Sequence, residues 1–289
     1  MPDALPATLR ALLTALRGVL ADEEDGGTVA AWIAEDVAGA TRPRLLTTPD
    51  ATVAPDVAAR ALAAARRVAA GEPPQYVLGH AHFGPLRLAV TPAVLIPRPE
   101  TEELYWHARA ALAGLERPRV LDAGTGSGAL ALALAHDRPD ADVHALDVSP
   151  DALDVARANA AALGLSVAFH PADLLADAPL PDLDGAVDLV VSNPPYIPDA
   201  EAPELEARVR DHEPALALFT GPDALVFYRA LARHGARWLR PGGVLWCETH
   251  TDLAGASAAC FTGPAWATAR VETDAARRPR FVEARRAGV

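Results

Sequence analysis

Cysteine is scarce in this chain: its 289 residues carry two, Cys247 and Cys260. Neither stands in a CxxC pair or near histidines at zinc-site spacing, which argues against a disulfide framework or a structural zinc. Long apolar runs are missing too. No stretch approaches the ~20 uninterrupted apolar residues of a membrane span. The N-terminus sets Asp3, Arg10 and Arg17 in a helical pattern and lacks the apolar core of a signal peptide. The chain therefore reads as cytoplasmic. Net positive charge is the third absence. Lysine does not occur, arginine supplies all 26 basic groups, and 38 acidic residues bring the formal charge to −12. That balance opposes unspecific attraction to phosphate backbones, so direct binding of nucleic acid is not expected.

What is present suits one large domain or, more naturally, two. Apolar residues make up 51% of the chain and charged residues 22%, enough for a sizeable core under a solvated surface. Leu5, Leu9, Leu12, Leu13, Leu16 and Leu20 recur at the spacing of an amphipathic helix. A second helix is expected over Thr28–Ala40, with Thr28 as N-cap, and a third over Pro55–Gly71, ahead of Pro73-Pro74. Residues 1–72 thus read as a small all-α domain. From Gln75 to Pro97, β-prone runs broken by Gly and Pro predict a hairpin-like linker over residues 73–98. His80 and His82 lie in it, without a third ligand nearby, and no metal is expected.

From residue 99 to 289 strands and helices alternate: "RVLDAG", "DVHALDV", "SVAFH", "VDLVVS" and "GGVLWCET" are separated by helical segments, with two more β-like runs in the tail. Such alternation predicts an α/β domain built on a twisted parallel sheet. "LDAGTGSGALALALA" places Gly124, Thr125, Gly126, Ser127 and Gly128 between a strand and a helix. A glycine-rich turn alone also fits tight strand–helix packing. The spacing lacks the later glycine of GxGxxG, and no GK[ST] follows, so a phosphate-cradling loop is excluded. The next strand ends in Asp147, where an acid can accept from both ribose hydroxyls. The third ends at Asp173 and Leu174, suited to an adenine amino group and ring. An adenosine ligand that needs no pyrophosphate site suggests S-adenosylmethionine.

Asn193-Pro194-Pro195-Tyr196 follows the buried strand "VDLVVS". The Asn193 side-chain carbonyl and the Pro194 backbone carbonyl are two acceptors, the prolines stiffen the loop, and Tyr196 offers a flat wall. Together they fit a planar NH2 group; the bland alternative is a rigid turn after a buried strand.

"NPPY" after "DAGTGSG", with "QYVLG", "VLIPRPETEEL" and "HEPALAL", resembles the release-factor glutamine methyltransferases, the HemK or PrmC family of class I methyltransferases. "PRPETE" separates them from the related ribosomal-protein glutamine methyltransferases. The resemblance implies a Rossmann-like class I methyltransferase domain over residues 99–289, preceded by a helical domain that docks the substrate. It implies methyl transfer from S-adenosylmethionine to the glutamine amide nitrogen (N5) in the GGQ motif of class 1 peptide chain release factors. Carried over, Gly124 to Gly128, Asp147, Asp173, Leu174 and Asn193 would contact the cofactor. Asn193, Pro194, Pro195 and Tyr196 would hold the glutamine, with Asn193, Pro194 and Tyr196 catalytic. The run "ETHTDLAG" after Glu248 departs from the family, which often has a glutamine there. The alternative reading is an NPPY-type enzyme acting on a ribosomal-protein glutamine or an exocyclic base amine; a catalytically silent binding module is a third.

Overall fold

The computed structural model describes residues 5–288, so Asp3 lies outside the described part. The chain forms two units. The first runs up to Gly79 and takes in Glu206–His212; the second comprises His80–Leu205 and the chain from Glu213 onward.

The first unit contains α1 (Leu9–Val19), α2 (Gly26–Ala38), α3 (Arg42–Thr47), α4 (Pro55–Ala69) and α5 (Pro74–Leu78). In α1 the leucine spacing buries Leu9, Leu12 and Leu16, with Leu20 just beyond the helix. Leu5 falls outside it and is exposed, because Thr8 caps the helix by accepting from Ala11 N–H. α2 begins two residues before Thr28. The carbonyl of Asp25 receives the first amides, so Thr28 sits inside the first turn and is not the N-cap. Gly26 admits no side chain: a Cβ there would lie 2.0 Å from the Leu20 carbonyl oxygen. In α4, Pro55 occupies the first turn, where its missing N–H costs nothing. Ile33, Ala34, Ala58, Ala61, Ala65 and Val68 complete a core in which many of the side chains are alanine, which lets helices approach closely. Arg208, from the later segment, joins this unit by pairing with Glu23 and donating to the carbonyls of Val68 and Gly71.

The second unit opens with an antiparallel hairpin, β1 (His80–Phe83) and β2 (Leu86–Ala89), turned at Gly84. Residues Pro74–Leu78 just before it are helical, where the sequence suggested extended chain. Phe83, Leu86 and Leu88 are buried in the core that underlies the main sheet. Then come α6 (Pro99–Ala111), β3 (Arg119–Ala123), α7 (Ala129–Asp137), β4 (Asp142–Asp147), α8 (Pro150–Leu163), β5 (Ala168–Pro171) and β6 (Val187–Ser192). A helix over Val226–Trp238 leads to β7 (Leu239–Glu248), and β8 (Trp266–Thr273) and β9 (Pro279–Arg286) close the chain.

The sheet order is β5-β4-β3-β6-β7-β9-β8, parallel through β7, with β9 antiparallel to both β7 and β8. This is the expected α/β fold. β3 and β6 are almost wholly buried, as central strands covered on both faces must be. α7 is buried all round its first seven residues, which explains its alternating Ala and Leu without a polar stripe. Chain order reverses at β3, so the carboxyl ends of β3 and β6 flank a topological switch point, where open α/β sheets bind ligands. Among the described residues no helix is long and apolar enough to cross a membrane. No group of three or more His, Cys, Asp or Glu among the described residues is placed to hold a metal; the rings of His80 and His82 stand 5.9 Å apart on the hairpin.

Candidate active site

A cleft opens at the switch point, where ligands of open α/β sheets bind. Gly124, Thr125, Gly126, Ser127, Asp147, Asp173, Leu174, Asn193, Pro194 and Pro195 all line it. Gly128 and Tyr196 do not.

The glycine-rich turn explains the first group. Gly124 and Gly126 have φ of +80° and +54°, and a Cβ on either would meet nothing within 4 Å. Their backbone conformation demands glycine. Gly128 shares the positive φ, at +86°, and in addition its Cβ would strike Leu132 at 2.9 Å and Ala156 at 3.3 Å, so it also serves close packing between the turn, α7 and α8. Asp147, at the end of β4, accepts from Gly126 N–H at 2.8 Å and Ser149 N–H at 2.9 Å, one on each oxygen. The carboxylate keeps acceptor capacity for a ligand. Burial raises its pKa, and the backbone amides of Ser149, Gly126 and Val148 oppose that rise. Asp173 is exposed on the rim, bonded to Leu175 N–H, while Leu174 is buried beneath.

Behind the turn stand two groups that sequence reasoning missed. Asp122 on β3 is fully buried, accepting from Thr125 Oγ1 at 2.6 Å and Ala131 N–H at 3.2 Å. Desolvation pushes its pKa up to about 7. Asn159 of α8, 3% exposed, donates to the Ser127 carbonyl at 2.9 Å and joins it to the hairpin. Nothing in "ARANA" distinguishes Asn159 from a surface asparagine. Only the folded position of α8 gives it a role.

At the end of β6, Ser192 Oγ donates to the Ala123 carbonyl at 2.6 Å, tying β6 to β3. Asn193 follows. Its Nδ2 donates to Thr101 Oγ1 at 3.0 Å, and Thr101 in turn donates to Glu248 Oε2 at 2.8 Å. Tyr196 donates its hydroxyl to the other oxygen, Glu248 Oε1, at 3.1 Å. Thr101 is 5% and Glu248 1% exposed. Burial pushes the Glu248 pKa up to about 7, against the lowering effect of Thr101, Tyr196 and Arg280. The Tyr196 phenol is raised as well, by burial first and the Glu248 charge second. Tyr196 is thus held by its hydroxyl. Ahead of α6 the chain is held by the buried Glu213, whose Oε2 accepts from Ile96 N–H at 3.1 Å and whose Oε1 pairs with Arg98 at 2.5 Å. Thr101 lies in "PRPETE" and Glu213 in "HEPALAL". Both motifs carried the resemblance without a physical role; here they brace the walls of the same cleft. After Glu248, Thr249 bonds Ser257 at 2.8 Å and His250 faces Glu201 at 3.1 Å, so the departing loop is locally satisfied.

A family model described as "Methyltransferase domain" matches residues 120–212, and one described as "PrmC N-terminal domain" matches residues 11–79. Release factor glutamine methyltransferase of Deinococcus radiodurans is 44% identical over 88% of this chain and 89% of its own. That of Streptomyces coelicolor is 43% identical over 93% of both chains. That of Mycolicibacterium smegmatis is 49% identical over 74% of this chain and 75% of its own. Among solved structures, TrmN from Thermus thermophilus aligns over 63% of this chain and 48% of its own, with 28% identity and a TM-score of 0.45. With relatives of this identity matching along most of its length, the chain belongs to the release factor glutamine methyltransferase family.

Proposed function

We propose that the chain transfers a methyl group from S-adenosylmethionine to the side-chain amide nitrogen of the glutamine in the GGQ motif of class 1 release factors. The observation that carries this reading is the orientation of Asn193: with its NH2 engaged by Thr101, its Oδ1 is left as an acceptor at a cleft that also holds Asp147. The cleft suits the cofactor. Two glycines with positive φ and open space at Cβ allow close backbone approach, Asp147 keeps lone pairs for ribose hydroxyls, and Leu174 gives an apolar floor. When bound, S-adenosylmethionine supplies an electrophilic methyl on a sulfonium.

The protein's own task is to make an amide nitrogen nucleophilic. Its lone pair is delocalised into the carbonyl. Asn193 Oδ1 and the Pro194 carbonyl would each take one N–H of the substrate NH2, favouring a pyramidal nitrogen. As positive charge develops there the same two contacts strengthen, which is the differential binding that accelerates a reaction. Pro194 and Pro195 restrict the loop, so little reorganisation is needed. A strong general base is unnecessary, because the methylated, protonated amide is acidic enough to release its proton to water.

The helical first unit would dock the body of the release factor, in the cytoplasm where such factors act. In that case a short GGQ peptide should show a much higher KM than the whole factor at similar kcat. The deciding experiment incubates the enzyme with labelled S-adenosylmethionine and, side by side, release factors, ribosomal proteins and bare nucleic acid. Label on the release factor alone, lost on changing the GGQ glutamine to alanine, supports the reading. Label on nucleic acid or a ribosomal protein instead would overturn it.

A further inference from the structure

We propose that Thr101 and Glu248 are positioning residues that set which way round the Asn193 amide sits, so that its oxygen and not its NH2 faces the substrate. This rests on the function proposed above. An asparagine amide has nearly the same shape in both orientations but opposite polarity, so a flipped Asn193 would present donors to a substrate that itself only donates. Something must choose. The choice follows by elimination along one chain of contacts. Glu248 as a carboxylate is acceptor-only, and both oxygens are engaged, by Tyr196 and by Thr101. Thr101 has one hydroxyl proton, and it goes to Glu248. Its oxygen is then only an acceptor towards Asn193, 3.0 Å away. Nδ2–H satisfies it; Oδ1 in that place would set lone pair against lone pair. The burial of Thr101 and Glu248 keeps water from offering an alternative partner.

Protonating Glu248 undoes the logic. A carboxylic acid can donate to Thr101, whose own proton is then free to turn to Asn193 and to favour the flipped amide. The groups that face Glu248 are Tyr196 after β6, Arg280 on β9, Glu100 on α6, and Tyr228, whose hydroxyl lies 3.3 Å from its backbone carbonyl. Of these the Arg280 charge favours the carboxylate and Glu100 opposes it.

The test uses the full-length enzyme and whole release factor. Thr101→Val keeps shape and removes the hydroxyl, and should lower kcat by about 10- to 100-fold, with cofactor affinity within about two-fold of the original. Thr101→Ser should recover most of the loss. In an Asn193→Ala background, Thr101→Val should cost less than about two-fold more, since there is no amide left to orient. Glu248→Gln should lower kcat and flatten the acid limb of its pH profile. The proposal is overturned if Thr101→Val turns over normally, or costs as much with Asn193→Ala as without it. It is also overturned if the variant loses only thermal stability or cofactor affinity. Should Glu248→Gln fail to fold, the Val, Ser and double variants decide alone. An original enzyme that leaves release factor unlabelled would sink the functional reading itself, a result distinct from any of these.

Discussion

Asn159 binds Ala89 as one peptide group binds another: its Oδ1 accepts from Ala89 N–H at 2.7 Å and its Nδ2 donates to the Ala89 carbonyl at 3.0 Å. The second Nδ2 proton goes to the Ser127 carbonyl. One buried side chain thus holds the end of the hairpin against the glycine-rich turn. Asn159→Ala should cost about 2–4 kcal/mol of stability, since three backbone groups lose their partner in a dry site. Cofactor affinity should fall with it. Asn159→Asp should be no better, because a carboxylate cannot donate to either carbonyl. Urea denaturation and calorimetry check both; an unchanged unfolding midpoint in either variant would sever the turn from the hairpin energetically.

Asp147→Ala removes the acceptor of Gly126 N–H as well as the lone pairs offered to the cleft. S-adenosylmethionine affinity should weaken by ~1.5–3 kcal/mol, the worth of a hydrogen bond to a charged group. Calorimetry on a folded variant reads this directly, and full affinity would move the cofactor elsewhere.

Asn193→Ala leaves the glycine-rich turn and Asp147 in place, so its effect should fall on kcat, by about 10²–10³-fold, with little change in cofactor binding. Asn193→Asp is expected to fare no better. It keeps an acceptor but has no N–H for Thr101, and it puts a second carboxylate beside the Thr101–Glu248 pair. Rapid-quench single turnovers separate this from slow product release; near-normal chemistry in the alanine variant would reduce the motif to a rigid turn.

The two buried acids fix the sign of a pH effect. Asp122 and Glu248 both have native pKa values raised to about 7 by desolvation. A raised acid stabilises the fold below its unfolded pKa, near 4, and that contribution is lost as pH rises through the native value. Relative to the original, Asp122→Asn and Glu248→Gln should therefore gain melting temperature steadily between about pH 4 and pH 7, and level off above. A difference independent of pH would mean that these acids titrate normally. For Glu248 the gain should come with lost turnover.

Much of this was legible in the residues. Alternating strands and helices gave the fold class, and the strand-end positions of Gly124, Asp147, Asp173 and Asn193 brought them to one cleft, because parallel strands put their carboxyl ends on one edge. Tyr196 was expected as a flat wall of the site; its hydroxyl bond to Glu248, and its absence from the cleft lining, were not legible. The supporting groups were hidden for a physical reason. Thr101, Asn159, Glu213 and Glu248 act across 32 to 147 residues of chain, and hydrogen bonds at that separation leave no periodicity. Thr28 misled because capping depends on where backbone amides become free, and here the carbonyl that takes the first of them is that of Asp25, three residues upstream.

Arg208 has a consequence for anyone exchanging parts between relatives. It belongs to the helical unit, yet it is encoded far downstream of Gly79, inside the stretch that follows Tyr196. A fragment cut at Gly79 would leave Glu23 without its ionic partner and the Gly71 carbonyl, just past α4, without the Arg208 donor. Chimeras that graft a foreign helical unit should therefore carry residues 206–212 from the same parent, or inherit a mismatched clasp. Helical unit and clasp are one inheritance, written in two places along the gene.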